Sequence, residues 1–219
     1  MNQNPNNERA LLEENQAFWE EHYQKKRTQS NGIPSGPLVR FTEALVPGRS
    51  LELGCSHGDD AIWLATRGWH VVAVDISQTA LARAAAKAAE KGLSSRIDFQ
   101  CRDLVHSFPA GQFELVTAFF LQTPVNIPRG KILEQAANAV AAGGLLIIAE
   151  HAAGPPWAEH KPKNFPKLEE TLAALNLTDN NWQKVFLGSP EREGTGPEGQ
   201  KAVLKDNLLV LKRLAHHGA

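Results

Sequence analysis

"LELGCSHGDD", residues 51–60, is the stretch on which the fold turns. A short apolar run stops at Leu53, a turn bearing Gly54 and Gly58 follows, and Asp59 and Asp60 open what reads as a helix. A strand that passes through a glycine turn into a helix carries backbone N–H groups up to a phosphate, a ribose or an amino-acid head group. Ser56 stands where a third glycine would leave the backbone barest.

Outward from this stretch the chain alternates. Strands are expected at 50–53, 70–75, 96–100, 113–119 and 145–150, with helices at 59–67, 77–91 and 129–142 between them. The run "ALARAAAKAAEKG" is built from strong helix formers and closes at Gly92, a C-cap. Short apolar strands alternating with helices predict a parallel sheet buried on both faces. The tail breaks this rhythm: a helix at 166–175, a strand at 182–187, the loop "GSPEREGTGPEGQ", and a strand at 202–213. Two strands joined without a helix pair antiparallel. The expected fold class is α/β, a doubly wound, Rossmann-like, mostly parallel seven-stranded sheet with a C-terminal antiparallel β-hairpin. Before the sheet lie a helix at 8–24, the Ser/Gly/Pro-rich loop "TQSNGIPSGP", and a short helix at 37–45 stopped by Pro47 and Gly48. One domain spanning 1–219 is expected, with residues 1–45 a helical N-terminal region and 46–219 the core.

Composition excludes several classes. Lys and Arg number 23 against 24 Asp and Glu, so neither a nucleic acid nor an anionic membrane finds the basic surface it requires. The first residues, "MNQNPNNERALLEEN", have neither the basic n-region nor the apolar h-region of a signal peptide. The longest apolar runs, such as "LLIIA" at 145–149, are too short to span a bilayer. With Cys55 and Cys101 the only cysteines, a disulfide framework is not expected and a cytoplasmic location is. His151 and His160 show no metal-ligand spacing, so no metal is expected.

The turn's chemistry narrows its ligand. Asp75 ends "HVVAVD" 21 residues after Gly54, the place from which an acid accepts hydrogen bonds from ribose hydroxyls. Yet "GCSHG" is not the G-x-G-x-x-G of a pyrophosphate site. Glu52, two residues before the first glycine, would repel a pyrophosphate and attract a cationic amino group. An adenosine carrying an amino acid, S-adenosylmethionine, satisfies both acids.

"LELGCSHG", "VVAVDIS", "CRDL", "FELVTAFF" and "AAGGLLIIAEH" occur in this order. The chain thereby resembles the class I S-adenosylmethionine-dependent methyltransferases over residues 15–213. Within that class it is most similar to the small bacterial tellurite-resistance-type and thiopurine-like group. Phe18, Trp19 and Tyr23 match that group's "FWxxxY", and "AIWLATRGWHVVAVDIS" continues the likeness. The resemblance implies that Glu52, Gly54, Cys55, Ser56 and Gly58 surround the methionine end of the cofactor. It implies that Asp75 takes the ribose, Ile76 lies against the adenine, and Asp103 accepts the adenine amino group beside Arg102 and Leu104. It implies too that Ala118 and Phe119 present backbone near the methionine amine, and that the N-terminal helix, with Trp19 and Tyr23, lids the site.

Plainer roles compete. Asp75 can serve as an acid at a helix N-terminus, Asp103 as a solvated loop residue, and Cys55 as a small filler in a tight turn. His151 follows strand five at the carboxyl edge, where it can act as a base or substrate contact or simply cap a loop. Arg192, in the loop after strand six, faces the active site or solvent. "AFFLQTPVN" lacks the N-P-P-Y-type motif that the family uses to methylate amino groups of nucleic acids. The expected acceptor is a small molecule with a soft nucleophile: a thiol, a selenium or tellurium species, or a heterocycle. The product would be S-adenosylhomocysteine. A non-catalytic binder of the cofactor and a nicotinamide-dependent oxidoreductase are the rival readings.

Overall fold

Leu53, Val74 and Ala118 lie side by side across three parallel strands, and the chain's layout follows from that alignment. A computed structural model describes residues 5–25, 30–157, 165–177, 181–196 and 198–215. The helices are α1 (Pro5–Lys25), α2 (Gly36–Thr42), α3 (Asp59–Thr66), α4 (Gln78–Glu90), α5 (Arg129–Asn138) and α6 (Leu168–Ala174). The strands are β1 (Arg49–Leu53), β2 (His70–Asp75), β3 (Ile97–Cys101), β4 (Phe113–Phe119), β5 (Val140–His151), β6 (Trp182–Gly188), β7 (Glu191–Thr195) and β8 (Lys201–Arg213). The sheet runs β3-β2-β1-β4-β5-β8-β6, with β7 pairing β8 off this path. β1 to β5 are parallel, whereas β8 pairs antiparallel with β5, β6 and β7. Strand order reverses between β1 and β4, which opens a crevice at their carboxyl ends.

Alternation along the strands divides the core. Ile147 and Val210 pack on one face with Leu64, Trp69 and Leu81, while Ile148 and Leu209 pack on the other with Leu51, Ile132 and Leu133. All of these are buried, as strands covered by helices on both faces demand. Ser77 caps α4, its hydroxyl accepting from Ala80 N at 3.2 Å.

Two expectations need correction. The expected helix at 129–142 ends at Asn138, because Val140 already pairs with Phe113 and the β4–β5 register shifts between Phe113 and Leu115. The tail segment 188–200 is not all loop, since Glu191–Thr195 forms β7 against Lys201–Lys205. Among the described residues the sheet thus has eight strands, β7 being an added ribbon strand. His160 lies outside the described residues.

α1 is strapped over the crevice from two sides. Glu20 accepts from Ser77 Oγ at 2.7 Å and from the hydroxyl of Thr79, while Trp19 Nε1 donates to Thr123 Oγ1 at 3.2 Å. Burial works against the charge on Glu20, but the hydrogen bonds from Thr79 and Ser77 outweigh it and bring its pKa down to about 2. Arg83 adds a bond to the carbonyl of Tyr23 at 2.7 Å.

Candidate active site

The turn after β1 is tied to β2 and left-handed at three positions. Gly54 N and Cys55 N donate to Val74 O at 2.8 and 2.9 Å. Gly54, Ser56 and Gly58 have φ of 75°, 50° and 73°. A Cβ on Gly54 would lie 2.8 Å from Leu121 Cδ1 at the crevice, so glycine keeps the approach clear. Gly58 serves packing instead: its Cβ would meet Ala84 Cβ at 2.8 Å, where α3 passes α4. Ser56 holds a conformation that costs a side-chain-bearing residue roughly 1–2 kcal/mol. Its N–H donates to Asp75 Oδ2 at 2.9 Å, and its Oγ lies 3.0 Å from His57 Nδ1.

Beneath this turn Glu52 is buried, and its Oε2 has no hydrogen-bond partner. Burial first, then the charges of Asp60, Asp75 and Asp59, push the Glu52 carboxyl well above the usual range. Asp60 accepts from the N–H and hydroxyl of Ser35 at 2.6 and 2.7 Å. Asp75 accepts from Ser77 N at 3.0 Å as well as from Ser56. Burial raises the Asp75 carboxyl too, against the pull of these backbone bonds. Each of its oxygens retains a lone pair for a ligand hydroxyl. An orphaned buried carboxylate among further acids is the electrostatic complement of an ammonium or sulfonium, so these residues fit S-adenosylmethionine. Bound there, the cofactor supplies a methyl group activated by its sulfonium.

The crevice holds about 630 Å³, solvent at its mouth included, a volume suited to a small ligand. Trp19, Tyr23, Gly54, Asp75, Ile76, Arg102, Asp103, Leu104 and Phe119 all line it. Glu52, Cys55 and Ser56 line an adjoining cavity that shares Tyr23, Gly54 and Phe119. Gly58 and Ala118 line neither, Ala118 being fully enclosed in the core. Asp103 braces its own loop, accepting from Val105 N at 3.2 Å and contacting His106, while Arg102 donates to Gln100 and Ser107. Burial and then Asp75 push the Tyr23 phenol up to about 12, so it remains a neutral donor. Sequence reasoning missed Asn15, Phe120, Leu121, Gln122 and Thr123 on the crevice wall. Asn15, four residues before Trp19 and so on its face of α1, was the one readable signal.

On the far side of β4 lie His151 and Arg192. Arg192 stands on β7, not in a loop, and Asp206 joins the two: His151 Nδ1 is 3.0 Å from Oδ1, and Arg192 Nε is 2.5 Å from Oδ2. Neither residue lines the crevice, yet the His151 ring stacks on Phe120, which does.

A crevice at the switch point of a 3-2-1-4-5 parallel sheet, with acids at the ends of its first two strands, is the ligand-binding edge of a Rossmann-like fold. A family described as a methyltransferase domain matches residues 51–144. A probable thiol methyltransferase 2 from Arabidopsis thaliana is 28% identical over 184 residues, 78% of this chain and 80% of that protein. A 2-heptyl-1-hydroxyquinolin-4(1H)-one methyltransferase from Mycobacteroides abscessus is 29% identical over 160 residues, 69% of each. In fold, TehB from Haemophilus influenzae superposes with a TM-score of 0.68 at 18% identity, covering 89% of this chain and 66% of that one. The chain thus carries a methyltransferase domain and is similar over most of its length to S-adenosylmethionine-dependent methyltransferases. These similarities favour a methyltransferase over the oxidoreductase and the non-catalytic binder.

Proposed function

We propose that the chain methylates a small molecule at a soft nucleophilic atom: a thiol, a selenium or tellurium species, or a heterocycle nitrogen or sulfur. The observation that carries the small-molecule reading is α1, bonded across the crevice to Thr123 on one side and to Ser77 and Thr79 on the other. Such a lid admits a small acceptor, sheds water from the sulfonium and leaves no open track for a polymer. The name of the Arabidopsis relative supports a thiol, and the mycobacterial one supports a heterocyclic acceptor. The near-neutral charge supports the exclusion of nucleic acids and membranes as partners. No described helix is long and apolar enough to cross a membrane, and two unpaired cysteines support a reducing cytoplasm.

In this reading Glu52 holds the amino group of the cofactor, Asp75 its ribose and Asp103 its adenine, with no metal involved. His151 and Arg192 serve the acceptor. Because a sulfonium is already a strong methyl donor, the protein's contribution is placement and dryness. The test is mass-spectrometric detection of S-adenosylhomocysteine when the protein and S-adenosylmethionine meet benzenethiol, selenite, tellurite and a mercaptopurine. Turnover with one or more supports the reading; no turnover with any of them refutes the acceptor class.

A further inference from the structure

His151 ends β5, and Asp206 stands directly opposite it in the antiparallel register with β8. Arg192 is paired with Leu204, two residues along β8, so it reaches Asp206 diagonally. The carboxylate is therefore gripped at both oxygens, by His151 Nδ1 at 3.0 Å and by Arg192 Nε at 2.5 Å. Partial burial pulls its carboxyl upward, but the bonds from His151 and Arg192 prevail and hold it below the usual range. An ionised carboxylate can only accept, so the hydrogen between them sits on Nδ1. With a single ring proton placed there, Nε2 keeps its lone pair.

The ring cannot easily turn. It lies 4.3 Å from the Phe120 ring at an interplanar angle of 28°, and its backbone N–H donates to Gln122 Oε1 at 2.9 Å. Phe120 and Gln122 both wall the crevice, so the imidazole packs against a side chain of that wall. The His151 side chain is 39% exposed, so a proton taken there can pass to water.

We propose that Asp206 is the positioning residue that makes His151 a base, and that the acceptor enters as a protonated thiol rather than as a ready-made anion. This rests on the methyl-transfer reading above. His151 Nε2 takes the S–H proton, and the bonding pair stays on sulfur as a thiolate. The thiolate takes the methyl group, the carbon–sulfonium bond breaks with its pair returning to the cofactor sulfur, and the imidazolium gives its proton to water. Charge and atoms balance without any further reactant.

The test compares Asp206→Asn with wild type on phenylmethanethiol, protonated at neutral pH, and 4-nitrobenzenethiol, already ionised. The expected result is that the variant's ratio of kcat/KM for the first thiol over the second falls at least tenfold, as loss of an aimed base requires. An equal loss on both thiols overturns the proposal, because that is what a structural role gives. Imidazole ¹⁵N shifts of wild-type protein supply a readout independent of acceptor and variant: His151 should carry its proton on Nδ1. A proton on Nε2 overturns Asp206's role. Wild-type inactivity on both thiols refutes the thiol reading of the preceding section, and the tautomer then decides Asp206 alone.

Discussion

At the β1 turn a carboxylate is buried among carboxylates; at the β5–β8 edge a carboxylate is held between an imidazole and a guanidinium. Glu52 faces Asp59, Asp60 and Asp75 and has an oxygen with no partner. Asp206 has both oxygens engaged. The two regions sit on either side of β4, yet one is electrostatically complete in the free protein, and in the proposed reading the other is completed by a cationic ligand. The difference teaches where binding energy is stored. The β1 turn spends fold stability on an unsatisfied acid that, in the proposed reading, the cofactor neutralises, whereas the flank proposed for the acceptor is already fully bonded.

The largest effect should come from the complete region. His151→Ala is expected to lower turnover on an active acceptor by on the order of 100-fold or more, and Arg192→Ala by less. S-adenosylhomocysteine affinity should stay within a few-fold of wild type in both, read by calorimetry. A parallel fall in affinity would erase the division between the two regions.

Next comes Asp75→Ala, which removes a charged acceptor from the ribose position and should weaken S-adenosylhomocysteine by about 1.5–3 kcal/mol. Unchanged affinity would remove Asp75 from the site and leave it as the tie for Ser56 and Ser77.

Glu52→Gln sharpens the comparison through stability. The folded-state pKa of Glu52 is raised, so the native state binds more protons than the unfolded one. The associated stability is therefore present below the unfolded value of about 4.5 and is lost as pH rises through the folded value. At neutral pH the variant escapes that loss. A gain on the order of 1 kcal/mol is expected without ligand, about 2–4 °C in Tm, together with weaker cofactor binding. Wild-type binding should also release a proton, detectable by calorimetry in buffers of different ionisation heat, and the variant should release less. A variant less stable than wild type at neutral pH contradicts the storage argument.

The smallest effect belongs to Ser56→Gly. Glycine relieves the left-handed strain at φ 50° but loses more chain entropy on folding, so stability should change by no more than about 1 kcal/mol. Cofactor affinity should hold or rise slightly; a tenfold loss would make the serine hydroxyl a ligand contact.

The crevice half of the candidate site was legible because its signals are local. "HVVAVD" and "FELVTAF" form β2 and β4 end to end, and Gly54, Asp75 and Asp103 meet in one crevice because parallel strands deliver their ends to one edge. The β5–β8 flank was only partly legible. "EREGT" lacks the apolar alternation of a core strand because β7 pairs only β8, beside the main sheet, and four of its five residues are exposed. Asp206 is one acid in "AVLKDNLLVLKR", and only the register with β5 places it across from His151. Phe120 was hidden differently: a non-glycine at φ 53° is not announced by its residue type.

β8 has a consequence for how the molecule opens. Its second half, from Asn207 on, lies within the main sheet between β5 and β6, whereas Lys201–Lys205 pair with the ribbon strand β7. Amide protons of the ribbon should exchange with solvent through local fraying, while those of Leu208–Leu211 wait for global unfolding. Asp206 falls at the junction of the two regimes. On the proposed reading, the ribbon can therefore flex as an acceptor enters while Asp206, the residue proposed to aim His151, stays anchored beside the slowest-exchanging part of the sheet.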